Sequence, residues 1–351
     1  MSSSSRKSRH FTYLNAAYWP NSRIYNGDTP GQLNYGCINR VYYAFANVVA
    51  DGGVFLSDEY ADTRAPCDGV QGALGSLMHL KQRYPHLQVV LSIGGGDSAE
   101  TFPIVASNAV LRDNFARSAR GLVEASGLDG IDIVWEYPCT PEQGNDFLAL
   151  VAAIRIHLPE EHYLLTAALP AAKPILQNID LRQAADYLDT LNLMAYDFYG
   201  QWTHKSGHHA QLYATSKGES SGDSGVQHLM SSGVPGKKIL LGIPLFGRSF
   251  LHVAGPGHKN RGAGGTDGSF EYKQLPRKGT KEQVDKRAIA AQCVGGDGGF
   301  VTYDNPDTVV VKAGFCKQKG LGGLFYWSAP SDAKDSKRSL ITTGFKTLHS
   351  S

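Results

Sequence analysis

Long apolar runs are missing from this 351-residue chain: none approaches the ~18 residues that a membrane-crossing helix needs. An excess of charge is missing too. Lys and Arg number 34 against 32 Asp and Glu, a formal net charge of +2 with no block of one sign. Neither nucleic acid nor a membrane is therefore expected as a partner. Cysteine is sparse. Cys37, Cys67, Cys139, Cys293 and Cys316 are odd in number and form no CxxC pair, which disfavours a zinc knuckle or a thioredoxin-type site. None sits in an obvious nucleophile setting. There is no Asn-x-Ser/Thr sequon, and the N-terminal MSSSSRKSRHF has basic residues without the apolar stretch of a secretory leader. These absences point to a reducing compartment. The cytoplasm or non-classical release is expected, and the extracellular space only if a leader has been removed. No repeat of a solenoid or propeller period is present.

What remains is a chain able to build a large core, with 42% apolar and 19% charged residues. Its length suits one large α/β barrel or two average domains. Residues 1–10 read as a flexible tail. Beyond them, short apolar runs alternate with amphipathic stretches. The runs are Phe11–Ala17, Arg40–Val48, Gln88–Ile93, Gly130–Tyr137, Tyr163–Ala168, Thr190–Tyr196, Lys238–Pro244 and Gly322–Ser328. Eight strands alternating with helices predict a (β/α)8 TIM barrel over residues 11–346. The pattern breaks over a Gly-rich segment, residues 251–304, read as a small α+β insertion between strands seven and eight. Asn108 and Ser107 are candidate caps for the helix carrying Leu111, Phe115 and Leu122. A monomer is expected.

Chemistry in such a barrel belongs at the C-terminal strand ends. The segment Leu128–Pro138 is the most informative. Side chains in a strand alternate, so Asp132, Val134 and Glu136 share one face while Ile131, Ile133 and Trp135 share the other. Asp132 and Glu136 then point into the barrel, with Glu136 at its exit. Such a pair can separate two proton affinities, one group ionised and the other a general acid.

The same segment resembles the DxxDxDxE signature of glycoside hydrolase family 18, the chitinases and their relatives. Leu91–Gly95 is similar to the family's SxGG, Met194-Ala195-Tyr196-Asp197 to its MxYD, Leu241–Arg248 to its seventh-strand segment and Gly322–Trp327 to its eighth-strand Trp. Val41–Asn47 resembles its second strand. The resemblance spans residues 11–346 and is nearest the bacterial-type, fungal subgroup. It implies retaining hydrolysis of chitin or chitooligosaccharides, without metal or cofactor, in which the substrate's N-acetyl carbonyl is the nucleophile. By matched position, Glu136 protonates the glycosidic oxygen and Tyr196 bonds the N-acetyl group. Asp197 and Arg248 hold the sugar, and Trp327 lies under it. Met194 and Phe45 line the base, Tyr13 supports Asp132, and Trp19 and Trp202 stack flanking sugars.

One position departs from the pattern. The family's middle Asp is Val134 here. Valine cannot orient the N-acetyl group or stabilise the oxazolinium charge, a loss of ~3–4 kcal/mol for one preorganised group. Three readings stay open: a chitinase of low activity with Tyr196 and Asp132 compensating in part, an inactive chitooligosaccharide binder, or an engineered Val134. Gly94–Ser98 lacks the spacing of a phosphate loop. The adjacent His208 and His209 lack metal-ligand spacing and are read as loop residues. The basic stretch 276–281 is read as solvated surface.

Overall fold

The computed structural model describes residues 12–351; the expected tail at 1–10 lies outside the described residues. Eight parallel strands are β1 (Leu14–Pro20), β2 (Arg40–Val48), β3 (Gln88–Gly94), β4 (Gly130–Val134), β5 (Leu164–Pro170), β6 (Thr190–Met194), β7 (Ile239–Pro244) and β8 (Gly323–Trp327). Each pairs with its successor, and β8 pairs back onto β1 from Leu14↔Gly323 to Ala17↔Tyr326. The sheet therefore closes, and the fold is the (β/α)8 barrel that the strand count predicts. The largest departures from the expected strand bounds are at β1 and β4. β1 starts at Leu14 rather than Phe11, and β4 stops at Val134 rather than Tyr137. Ladder partners set these limits: Gly94 opposite Val134 is the last pair between β3 and β4.

Strand alternation sorts the apolar residues into two clusters. Tyr18, Tyr42, Val90, Leu164, Leu240 and Phe325 fill the barrel. Trp19, Tyr43, Ile131, Ile133 and Trp135 belong to the larger cluster under the helices. The helices enter through local signals. The Asn108 side chain accepts from the backbone N–H of Val110 and Leu111, and Gly127 ends that helix with φ 68°. Thr140 caps Pro141–His157, which buries Phe147, Leu150, Val151 and Ile154. No helix among the described residues is long and apolar enough to cross a membrane.

Between β7 and β8 lies a five-stranded antiparallel sheet, ordered Ser269–Glu271, Phe246–Phe250, Phe300–Tyr303, Ala290–Val294 and Gln283–Asp285. It begins before residue 251, because only Leu245 separates β7 from the strand Phe246–Phe250. That strand carries Arg248 directly from the barrel exit into the second sheet. Asp304, at the end of this sheet, pairs with Lys312 at 2.8 Å, and both are buried. Lys312 also donates to the Ala210 carbonyl at 2.6 Å, tying the loop after β6 to helix Pro306–Gln318. Lys312→Met should cost about 3–5 kcal/mol, the range for stranding one partner of a buried ion pair. Urea unfolding of the two proteins measures it.

Candidate active site

The interior is organised around Asp132. Register places Ser92 of β3, Asp132 of β4 and Thr166 of β5 side by side, and all three are fully buried. Asp132 Oδ2 accepts from Tyr18 Oη at 2.7 Å and Ser92 Oγ at 2.8 Å, and Oδ1 accepts from Thr166 Oγ1 at 2.6 Å. Asn192 Nδ2 donates to Tyr18 at 3.0 Å. Burial pushes the Asp132 carboxyl above its usual range, against the opposing pull of the three hydroxyl donors.

Tyr13 does not support Asp132, contrary to expectation. It precedes β1 and meets the Lys237 ammonium at 5.3 Å and the His349 ring at 6.1 Å. Tyr18 takes the role, because with β1 starting at Leu14 the inward residues are Ala16 and Tyr18. The same alternation overturns the expectation for Trp19. It points outward, is fully buried, and stacks on Tyr43 with ring planes 9° apart. No sugar can reach it.

Above Asp132, the β4 side chains continue inward as Val134, then Glu136 just past the strand end. Val134 is 3% exposed and lines a cleft of about 980 Å³. The cleft brings together Glu136, Tyr196, Asp197, Arg248, Met194, Phe45 and Trp327 at the C-terminal mouth. Trp327 lies stacked beside Phe45, centroids 5.6 Å apart, and tilted against Tyr18 at 5.3 Å. Gly95 makes room for this platform: a Cβ there would come within 2.8 Å of the Phe45 ring. Trp202 is 55% exposed, and the Arg248 guanidinium lies over its ring at 4.8 Å.

The acidities at the mouth diverge. Burial, with a smaller push from the Asp197 charge, raises the Glu136 carboxyl. It has no hydrogen-bond partner among the described residues. Asp197 goes the other way. Burial pushes it up, but the Arg248 guanidinium hydrogen-bonded to it, with the His209 ring alongside, holds it below the usual range. Arg248 Nε donates to Asp197 Oδ1 at 2.8 Å. Burial also holds the Tyr196 hydroxyl far above its ordinary value, so it remains a donor. The site thus offers a carboxyl of raised proton affinity beside a fixed carboxylate, a phenol donor and an aromatic platform. This set can protonate an oxygen that bridges two sugar rings.

Two features of the cleft were not legible in the sequence: Tyr137, and the ion pair of Arg23 with Glu271, whose partners lie 248 positions apart. His208 and His209, read as loop residues, are buried against Thr302 and Asp197. No group of three or more metal-ligating side chains is assembled among the described residues.

A (β/α)8 barrel with this carboxyl at its mouth is the frame of a glycosidase, and comparison with known proteins narrows it. The family model "Glycosyl hydrolases family 18" matches residues 15–332. Chitinase 1 of Aphanocladium album is 35% identical over 366 aligned positions, covering 96% of this chain and 86% of that protein. Endochitinase 1 of Metarhizium robertsii is also 35% identical, over 96% of this chain and 85% of its own length. Among solved structures, a GH18 chitinase from Cycas revoluta in complex with (GlcNAc)3 superimposes with a TM-score of 0.84 at 28% identity, covering 95% of this chain and 98% of that one. The chain belongs to glycoside hydrolase family 18, the family of the chitinases.

The raised acidity range of Glu136 has a cost in stability. A carboxyl whose folded pKa lies above its unfolded one stabilises the fold fully below the unfolded value, and that stabilisation is lost as pH rises through the folded value. Glu136→Gln should therefore raise the melting temperature at pH 7 by ~1–3 °C. The gain should vanish below the ordinary Glu value of about 4.3. Thermal melts of both proteins from pH 3.5 to 8 test it.

Proposed function

We propose that this chain hydrolyses β-1,4-linked N-acetylglucosamine polymers with retention of configuration, at a rate held down by Val134. The observation that supports this most directly is Glu136. It is a half-buried carboxyl with raised proton affinity, in a cleft shared with Tyr196, Asp197, Arg248 and Trp327. Glu136 gives its proton to the bridging oxygen as the bond from that oxygen to C1 breaks. The substrate's own N-acetyl carbonyl oxygen bonds C1 from the opposite face and forms an oxazolinium ion. The Glu136 carboxylate then takes a proton from water as that water attacks C1 and the ring opens. Tyr196 donates to the acetamido group, Arg248 and Asp197 contact the sugar, and Trp327 packs beneath its apolar face.

Val134 is where this scheme is weakest. It lies between Asp132 and Glu136 on the inward face, it is apolar, and it leaves both Glu136 and the acetamido N–H without a carboxylate. That observation supports a second reading, a chitooligosaccharide-binding protein without turnover. Kinetics on chitotetraose decide between them. The parent should turn over slowly, and Glu136→Gln should abolish turnover. Val134→Asp should raise kcat by roughly 10- to 1,000-fold, the contribution of one preorganised charged group. Absent turnover in the parent with binding retained would establish the binder. A folded Val134→Asp no faster than the parent would refute the account of Val134.

Binding is tested separately through Trp327. Trp327→Ala should weaken chitotetraose binding by roughly 1–3 kcal/mol, the scale of a strong aromatic contact. Titration calorimetry on the folded variant measures this, and an unchanged Kd would place the sugar elsewhere.

A further inference from the structure

Asp197 sits in an unusual backbone state. Its φ is 61°, in the left-handed region that a non-glycine residue seldom occupies. Something must hold it there, and the contacts come from the loop around His209. The Asp197 backbone N–H donates to His209 Nδ1 at 3.3 Å, and the next N–H, of Phe198, donates to the His209 carbonyl at 3.0 Å. The same Nδ1 lies 3.6 Å from Asp197 Oδ1. One ring nitrogen therefore faces both the main chain and the carboxylate of Asp197.

The imidazole is itself immobilised. It is fully buried, with its ring centroid 5.1 Å from that of Phe246. With Nδ1 accepting, the ring proton is on Nε2, which has no hydrogen-bond partner among the described residues. A buried donor left unsatisfied is costly, so its retention marks a position under another constraint. The following residue is tied to the core, because the Ala210 carbonyl accepts from Lys312. The charged and titratable groups acting on the ring are Asp197, Arg248 and Asp304, with His208 next to it in the chain. Around Asp197 they are His209, Arg248, Glu136, Tyr196 and Tyr137. Burial lowers the His209 pKa below its ordinary value, so the ring is neutral at neutral pH and works by hydrogen-bond geometry.

We propose that His209 is a positioning residue for the acid of this site: it locks the main chain of Asp197 in place, and so fixes where that carboxylate stands relative to Glu136. Arg248 supplies the countercharge, and His209 supplies the position. The proposal rests on the reading of Glu136 as the acid, but its test does not require turnover.

The test is a titration of the Glu136 carboxyl carbon by NMR in the full chain labelled with 13C-glutamate, its signal assigned by disappearance in Glu136→Gln. In His209→Leu the Glu136 midpoint should shift downward, because a released Asp197 carboxylate moves toward solvent and repels Glu136 less. His209→Asn places an amide oxygen at the reach of Nδ1 and keeps an acceptor for the Asp197 N–H, so its midpoint should return toward the parent's. Should His209→Leu fail to fold, His209→Val, smaller and without an acceptor, should show the same downward shift. An unchanged or raised midpoint in folded His209→Leu or His209→Val would overturn the proposal and leave His209 a packing residue. Chitotetraose turnover by the parent, measured in parallel, reports separately on the hydrolase reading. Where turnover is measurable, the alkaline limb of kcat/KM should move with the NMR midpoint.

Discussion

Much of this molecule depends on the burial of one carboxyl group. Asp132 lies in the middle of a closed barrel, where an unpaired charge would cost several kcal/mol. Three hydroxyl groups from β1, β3 and β5 converge on it, two of them on the strands flanking β4 at the same height. The polar column continues downward from Tyr18 through Asn192 and Tyr42 to Arg40, so the barrel floor is polar as well. A one-residue slip of β4 would turn Asp132 out toward the helix layer and strand all three donors. The register of β4 is therefore strongly specified, and the positions of Val134 and Glu136 above it follow.

The mouth of the barrel uses the opposite logic. Glu136 has nothing holding its charged form, and burial favours its proton. Asp197 has a guanidinium and an imidazole, and keeps its charge. Two carboxyl groups in one cleft are thus driven apart in acidity by their neighbours. Val134 contributes neither charge nor hydrogen bond between them. Arg248 reaches the cleft because the second sheet starts directly at the exit of β7, so the insertion is part of the wall of the site.

The outline of this arrangement was legible beforehand. Eight apolar runs with intervening helical stripes led to the barrel. The alternation in Leu128–Pro138 put residues 132, 134 and 136 on one face, since that inference needs only the two-residue period. The mistakes share one cause. Tyr13 and Trp19 come to the site by matched position in the family resemblance, which does not carry the phase of β1, and an alternating strand without its ladder partners has no absolute phase. The pairing of Leu14 with Gly323, contributed by the far end of the chain, sets that phase. It turns Tyr18 inward and Trp19 outward.

Local covalent geometry and hydropathy therefore determined what one chain segment can decide alone: the strands, the helix caps such as Asn108, and the shared face of Asp132 and Glu136. Tertiary structure decided which hydroxyls meet Asp132, that Arg23 meets Glu271, and that His209 lies against Asp197. Adjacent histidines in a polar loop carry no periodic signal. Their environment exists only once the loop after β6 has packed against the second sheet and been fastened by Lys312. Hydrogen bonds between distant residues act over about 3 Å, and the chain must be folded before any such distance exists.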